Sequence, residues 1–294
     1  MPTTDRSIPQ IMLNSGIAIP QLGYGTLAVQ PDRTSTPENI ETTAKIVGLA
    51  LQAGYRHIDT AQAYGTERGV GRAIAASGIP RAELYLTSKL ANGNHRPEDV
   101  RRSFAETLDN LGVEQLDLFL VHWPLPTLYD GDYVSTWRAV TDLVAEGRLH
   151  SAGVSNFQPA HLDRIITETG ITPAVNQFEL HPYFANNAAC TASRQYGIAV
   201  EAHSPLGHNN APLSDDTITK IAAAHDKSAA QAILRWHIQH GHIAIPKSSQ
   251  QERMEENITV FDFDLTAEEM AAMDARDRGE NGRVGPNPDT YEGV

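Results

Sequence analysis

In Leu116-Asp-Leu-Phe-Leu-Val-His-Trp-Pro124, six residues dominated by leucine, phenylalanine and valine are interrupted by one aspartate and stopped by a proline. A run this short reads as a strand, and its lack of polar alternation places it where both faces are covered. Residues 136–146 then carry apolar side chains at helical spacing, and residues 151–154 form a second short strand-like run. Strand, helix, strand in that order makes the two strands parallel, because parallel pairing needs a crossover of about helix length.

The same alternation extends in both directions. Residues 22–26, 57–59 and 84–88 precede this unit as buried strands, and residues 174–178, 198–201 and 242–245 follow it, eight strands in all. Residues 38–51, 67–76, 97–110 and 159–168 are amphipathic and read as crossover helices. Residues 229–239, 252–257 and 265–277 read as further helices, the last opening with a Thr266/Glu269 capping-box pattern. This α/β rhythm predicts a (β/α)8 TIM barrel with appended helices. Ahead of it, two short apolar runs between Ile11 and Ile19 flank Asn14-Ser15-Gly16, the signal of a β-hairpin placed to plug the barrel floor. No linker or repeat marks a boundary, so residues 1–294 are expected to form one domain. Residues 279–294, rich in Gly, Pro, Asp and Asn, read as an irregular C-terminal arm over one face.

Thirty-six acidic against 23 basic residues give a formal charge of −13. That balance argues against an extended surface for nucleic-acid phosphates or an anionic membrane. No run of about 18 apolar residues occurs, so no spanning helix is expected. Cys190 is the only cysteine and cannot form an internal disulfide. Together with the lack of a signal-peptide pattern, it predicts a reducing cytoplasm.

A parallel barrel gathers the residues that follow each strand at one mouth. Here they are Asp59 and Tyr64 after the second strand, Lys89 after the third and His122 after the fourth. Ser155 and Asn156, Gln177, His203 and Ser204, and then Lys247 and Ser248 follow the later strands. Taken singly, each has a bland reading: Asp59 as a helix cap, Tyr64 as a core ring with a wet tip, Lys89 as surface charge, His122 as a core imidazole. Taken together they make a proton-transfer site. An ammonium beside a tyrosine favours its phenolate, a carboxylate keeps that ammonium charged, and a neutral imidazole can hydrogen-bond a carbonyl oxygen. Those are the parts of a carbonyl reductase.

Six motifs, in order, carry a resemblance. Gly54-Tyr-Arg-His-Ile-Asp-Thr-Ala-Gln-Ala-Tyr-Gly65, Leu86-Thr-Ser-Lys89, Leu120-Val-His-Trp-Pro124, Gly153-Val-Ser-Asn-Phe157, Asn176-Gln-Phe-Glu-Leu-His-Pro-Tyr183 and Ile245-Pro-Lys-Ser248 resemble the aldo-keto reductase superfamily. Ser204-Pro-Leu-Gly207 and Gly282-Arg-Val-Gly-Pro-Asn-Pro-Asp289 incline the resemblance toward its bacterial 2,5-diketo-D-gluconate reductase-like branch. The resemblance implies NADPH-dependent reduction of aldehydes and ketones, with Tyr64 as general acid, Asp59 and Lys89 tuning it and His122 orienting the carbonyl. It implies a nicotinamide held by Ser155, Asn156 and Gln177, and a pyrophosphate flanked by Ser204 and Leu206. It also implies that Lys247, Ser248, Arg253, Glu256 and Asn257 meet the adenosine end, the two cations facing its 2′-phosphate. A monomer acting on a small carbonyl compound, without a metal, is what the family leads one to expect. Residues 247–249 also precede a helix, whose N-terminal amides suit phosphate on physical grounds alone.

Two positions depart from the family pattern. His203 stands where the family places a tyrosine or tryptophan stacked on the nicotinamide, and Leu27 stands where many members have an aromatic pocket residue. Trp123 is a further candidate for the pocket lining. The loops over residues 124–133 and 208–214 are short, which favours small aldehydes, dicarbonyls or keto sugars over steroids. Gly23-Tyr-Gly-Thr-Leu-Ala28 matches a dinucleotide fingerprint, but two prolines follow where that motif needs a helix. Two rival readings remain: a metal-dependent barrel hydrolase using His57, Asp59, His122, His181 and His203, and an NADPH-binding sensor with little turnover.

Overall fold

The computed structural model describes residues 8–207 and 211–293. β1 (Gln10–Met12) and β2 (Ala18–Pro20) pair antiparallel with Ile11 opposite Ile19, as the hairpin signal predicts. Gly16 turns the chain at a φ of 82°, a conformation costly for residues with a Cβ. Leu13 and Ile19 pack against Tyr85, Leu118, Leu120, Val175 and Ile243, and Asn14 Nδ2 donates to the Pro173 carbonyl at 2.8 Å. The hairpin therefore closes the barrel at the end opposite the mouth.

The barrel strands are β3 (Tyr24–Gly25), β4 (His57–Asp59), β5 (Tyr85–Leu90), β6 (Leu116–Val121), β7 (Leu149–Ser155), β8 (Val175–Glu179), β9 (Ala199–His203) and β10 (Ile243–Ala244). They pair parallel in sequence order from β3 to β10. Leu22 bridges Ala244, and Gly23 N donates to Ala244 O at 2.9 Å, which closes the ring. The expected first strand, residues 22–26, keeps ladder pairing only at Tyr24–Gly25 and the Leu22 bridge. The expected third strand runs two residues further, so Lys89 lies inside β5 rather than after it.

The crossover helices are α1 (Pro37–Ala53), α2 (Glu67–Ser77), α3 (Pro97–Leu111), α4 (Tyr133–Ala145), α5 (Pro159–Thr169), α6 (Asn187–Gln195), α7 (Asp216–Ala224) and α8 (Ala229–Gln239). α9 (Gln251–Ile258) and α10 (Ala267–Asp274) follow. α10 has the predicted Thr266/Glu269 capping box but ends at Asp274, short of the expected 277. α6 and α7 have no counterpart among the expected helices. α6 buries small residues, Ala189, Cys190, Ala192 and Ser193, each carrying little apolar signal, whereas α7 buries Ile218 and Ile221 with Ala222 at helical spacing. Of the short loop expected over residues 208–214, residues 208–210 lie outside those described, and Ala211–Ser214 form a 3-10 turn. No helix among the described residues is long and apolar enough to cross a membrane.

Candidate active site

The side chains of a strand alternate between barrel interior and helical layer, so His57 and Asp59 of β4 both face inward around Ile58. β5 pairs with β4 so that Asp59 lies opposite Thr87, and two residues further on Lys89 points the same way. Lys89 Nζ donates to Asp59 Oδ1 at 2.6 Å and to the Thr60 carbonyl at 3.0 Å, with its side chain fully buried. Tyr64 ends a 3-10 turn, Gln62–Tyr64, closed by Gly65. Its ring centroid lies 4.8 Å from Lys89 Nζ, and the His122 imidazole meets it edge-on at 5.7 Å. Tyr64 and His122 remain half-buried, whereas Asp59 and Lys89 lie beneath them out of water. The four strand-end residues of the sequence reading thus converge on one mouth.

Burial is the strongest influence on each of the four. It works against the ammonium of Lys89, yet Asp59, Tyr64 and Glu201 together outweigh it and hold Lys89 above its ordinary value. Burial raises Asp59, against the opposing pull of Lys89 and Gln177. Tyr64 is also raised: Lys89 does favour its phenolate, as the sequence implies, but desolvation exceeds that effect. Tyr64 is therefore a phenol at neutral pH. His122 falls well below 6.5 through burial and the nearby Lys89 and His203, so its imidazole is neutral.

A second group lines the mouth from β7 to β9. Asn156 Nδ2 donates to the His122 carbonyl at 3.0 Å and to Ser155 Oγ at 3.1 Å. His203 Nε2 lies 3.2 Å from Asn156 Oδ1 and its Nδ1 3.3 Å from Ser204 Oγ. Asn156 and Ser204 both take left-handed backbone angles, φ 63° and 50°, a strain that clusters at functional loops. Gln177 Nε2 points into the barrel, to Asp59 Oδ2 at 2.9 Å and Glu201 Oε2 at 3.2 Å. Leu206 is half-buried between two parts of the core.

At the β10 corner, Lys247 and Arg253 are exposed, and neither forms an ion pair among the described residues. Ser248 Oγ accepts from Gln250 N at 3.0 Å just before α9, and the Tyr24 hydroxyl holds the Ser248 carbonyl. Asn257 is buried on α9. The Glu256 carboxylate is engaged by the hydroxyl of Ser228, which caps α8.

Leu27 is half-buried in the loop between β3 and α1, and no helix follows Gly23-Tyr-Gly before Pro37, so the fingerprint is a decoy. Trp123 packs beside His122, and Tyr291 of the arm lies over it with ring centroids 4.3 Å apart. Glu201 and Tyr291 escaped the sequence reading; one sits mid-strand, the other in a polar tail far along the chain. The histidines and aspartate of the hydrolase reading do not form a ligand set, although Asp59, His122 and His203 line the same mouth. His57 Nε2 turns to Thr87 Oγ1 at 3.0 Å, and among the described residues no three His, Cys, Asp or Glu are placed to hold a metal ion.

The arm is docked through Glu179, whose carboxylate accepts from Val284 N at 2.8 Å and Gly285 N at 2.7 Å, and lies 3.0 Å from His181 Nε2. Burial acts against this carboxylate, but the His181 and amide contacts prevail and lower it to about 2. Gly282 sits so close that a Cβ would lie 1.7 Å from the Tyr183 carbonyl oxygen. Gly282→Ala is expected to lift the arm and cost about 1–3 kcal/mol by overpacking. Urea denaturation and faster amide exchange across residues 283–291 would read this; unchanged exchange would contradict it.

Residues 21–278 match the aldo/keto reductase family. An aldo-keto reductase of Mycobacterium sp. (strain KMS) is 45% identical over 283 residues, 96% of this chain and 98% of that protein. The morphine 6-dehydrogenase of Pseudomonas putida is 42% identical, over 95% of this chain and 94% of its own. A crystal structure of a Gox0644 mutant in complex with NADPH superposes with a TM-score of 0.87 at 39% identity, covering 97% of this chain and 98% of that one. With its closed barrel, floor hairpin and ordered motifs, and with these matches along nearly its whole length, the chain belongs to the aldo/keto reductase family.

Proposed function

We propose that this protein is an NADPH-dependent oxidoreductase that reduces small aldehydes and ketones, such as dicarbonyls or keto sugars, to alcohols. The observation that carries the reading is the cluster of Asp59, Lys89, Tyr64 and His122, with a buried ammonium 4.8 Å from the ring of a half-exposed phenol. When bound, the dihydronicotinamide supplies the hydride that a carbonyl carbon accepts. Tyr64 gives its hydroxyl proton to the developing alkoxide oxygen. Lys89 stabilises the phenolate left behind, and Asp59 keeps Lys89 charged and oriented. The neutral His122 imidazole donates a hydrogen bond to the carbonyl oxygen and so fixes which atom faces Tyr64. Trp123, Leu27 and Tyr291 line the approach.

The residues present fit the cofactor. Ser155, Asn156 and Gln177 offer the hydroxyl and amide groups that a carboxamide needs, and His203 faces the same space with a smaller stacking surface than a tyrosine or tryptophan ring. Ser204 and Leu206 flank the position for a pyrophosphate. Lys247 and Arg253, two cations without carboxylate partners among the described residues, stand with Ser248 at the start of α9, a donor set suited to a 2′-phosphate. Asn257 and the remaining carboxylate oxygen of Glu256 serve the adenine. That a structural neighbour was solved with NADPH supports the choice of cofactor.

Within this reading the chain is a single-domain monomer nearest the 2,5-diketo-D-gluconate reductase-like branch. It works in a reducing cytoplasm, where the buried Cys190 thiol, pushed up to about 11 by desolvation, stays inert. NADPH oxidation against a panel of aldehydes and ketones tests the activity; no turnover with any of them would defeat it. Lys247→Met is expected to raise the NADPH dissociation constant about 10- to 100-fold, the worth of one charge-assisted contact. NADH affinity should barely change, and equal losses in fluorescence titrations with both cofactors would remove the phosphate role.

A further inference from the structure

Glu201 lies on β9 with its side chain wholly inside the barrel, beneath the mouth. In register it stands beside Gln177 of β8 and Ile243 of β10. Gln177 Nε2 donates to Glu201 Oε2 at 3.2 Å and to Asp59 Oδ2 at 2.9 Å, so one amide group joins two carboxyls. Among the described residues Glu201 Oε1 has no hydrogen-bond partner, and His57 Nε2 lies 3.7 Å from it. His57 is neutral, since burial lowers it to about 3, so this contact is not an ion pair. The titratable groups around Glu201 are His57 and Asp59 from β4 and Tyr85 and Lys89 from β5. Lys89 is the one cation in that set.

Two ionised carboxyls beside one ammonium would leave an excess negative charge where water is excluded. Asp59 touches Lys89 directly and keeps the charge; Glu201 keeps the proton. We propose that Glu201 is a positioning residue that, through the Gln177 amide it shares with Asp59, sets how readily the Asp59–Lys89–Tyr64 chain releases a proton. The inference rests on the reading of Tyr64 as the acid. Burial, and then the charge of Asp59, push Glu201 up to about 8. Above that pH its negative charge adds to that of Asp59, draws Lys89 more strongly, and makes Tyr64 a weaker proton donor.

The test is the pH profile of carbonyl reduction in the intact enzyme, wild type against Glu201→Gln and Glu201→Asp. In wild type kcat falls as pH rises through about 8. In Glu201→Gln that limb moves up by about one pH unit or more, and Glu201→Asp, which restores a carboxyl, brings it back. KM for NADPH stays within about twofold, because no cofactor contact is removed. A group whose folded pKa is raised stabilises fully below its ordinary value and loses that contribution as pH rises toward the folded one. Glu201→Gln should accordingly gain stability over wild type between pH 4.5 and about 8. A Glu201→Gln profile superimposable on wild type overturns the proposal while leaving the reductase reading intact. Full turnover in Tyr64→Phe would instead defeat the reading beneath it. Should Glu201→Gln fail to fold, infrared spectra of wild type decide: a protonated-carboxyl band lost with a midpoint near about pH 8 supports the assignment, and no such band overturns it.

Discussion

Tyr64→Phe lowers carbonyl turnover by about 100- to 10,000-fold, the usual worth of a positioned general acid. The phenyl ring keeps its edge contact with His122 and its place beside Lys89, so the mouth keeps its shape. NADPH binding stays close to wild type, since only the transition state uses the lost proton. Reduction of a reactive aldehyde with NADPH, together with a fluorescence titration of the cofactor, measures both halves. Wild-type turnover in this variant would end the assignment of Tyr64.

Lys89→Met acts on folding as well as chemistry. Asp59 loses the partner at 2.6 Å and, among the described residues, keeps only the shared amide of Gln177 in a site closed to water. Breaking a buried ion pair from one side costs about 3–5 kcal/mol, because the remaining charge is uncompensated. Asp59 already stands above its ordinary value through burial, and without Lys89 it rises further. The sign follows from linkage: a raised folded pKa gives stability that is complete below the unfolded value and is lost as pH increases. The variant is therefore weakest at alkaline pH and nearest to wild type in mild acid. Replacing Asp59 by Asn as well should recover much of the loss in urea denaturation, while turnover stays low. A single variant as stable as wild type at all pH values would show that the pair is not ionised.

Much of this site is legible in the sequence, for a local reason. A residue at or just beyond the end of a barrel strand is carried to the mouth whatever the helices do, so Asp59 at the end of β4, Tyr64 in the loop after it and His122 after β6 can be named from strand ends alone. The same rule names Lys89, which lies within β5, a strand two residues longer at this end than its sequence pattern predicts; its facing is unchanged because strand side chains alternate with period two. Of the two helices without a counterpart in the sequence reading, α6 packs through alanine, cysteine and serine, which carry little apolar signal, whereas α7 does present Ile218 and Ile221 at helical spacing.

Sequence alone determined the order of eight parallel strands, the floor hairpin, the decoy nature of the glycine fingerprint and the gathering of four reactive residues at one mouth. All of these depend on neighbours close in the chain. Tertiary structure decided that Glu201 shares an amide with Asp59, that Tyr291 returns to lie over Trp123, and that burial outweighs Lys89 in setting the acidity of Tyr64. These depend on closure of the barrel and on the exclusion of water, which bring together strands and tail far apart in the chain and fix the dielectric around each charge.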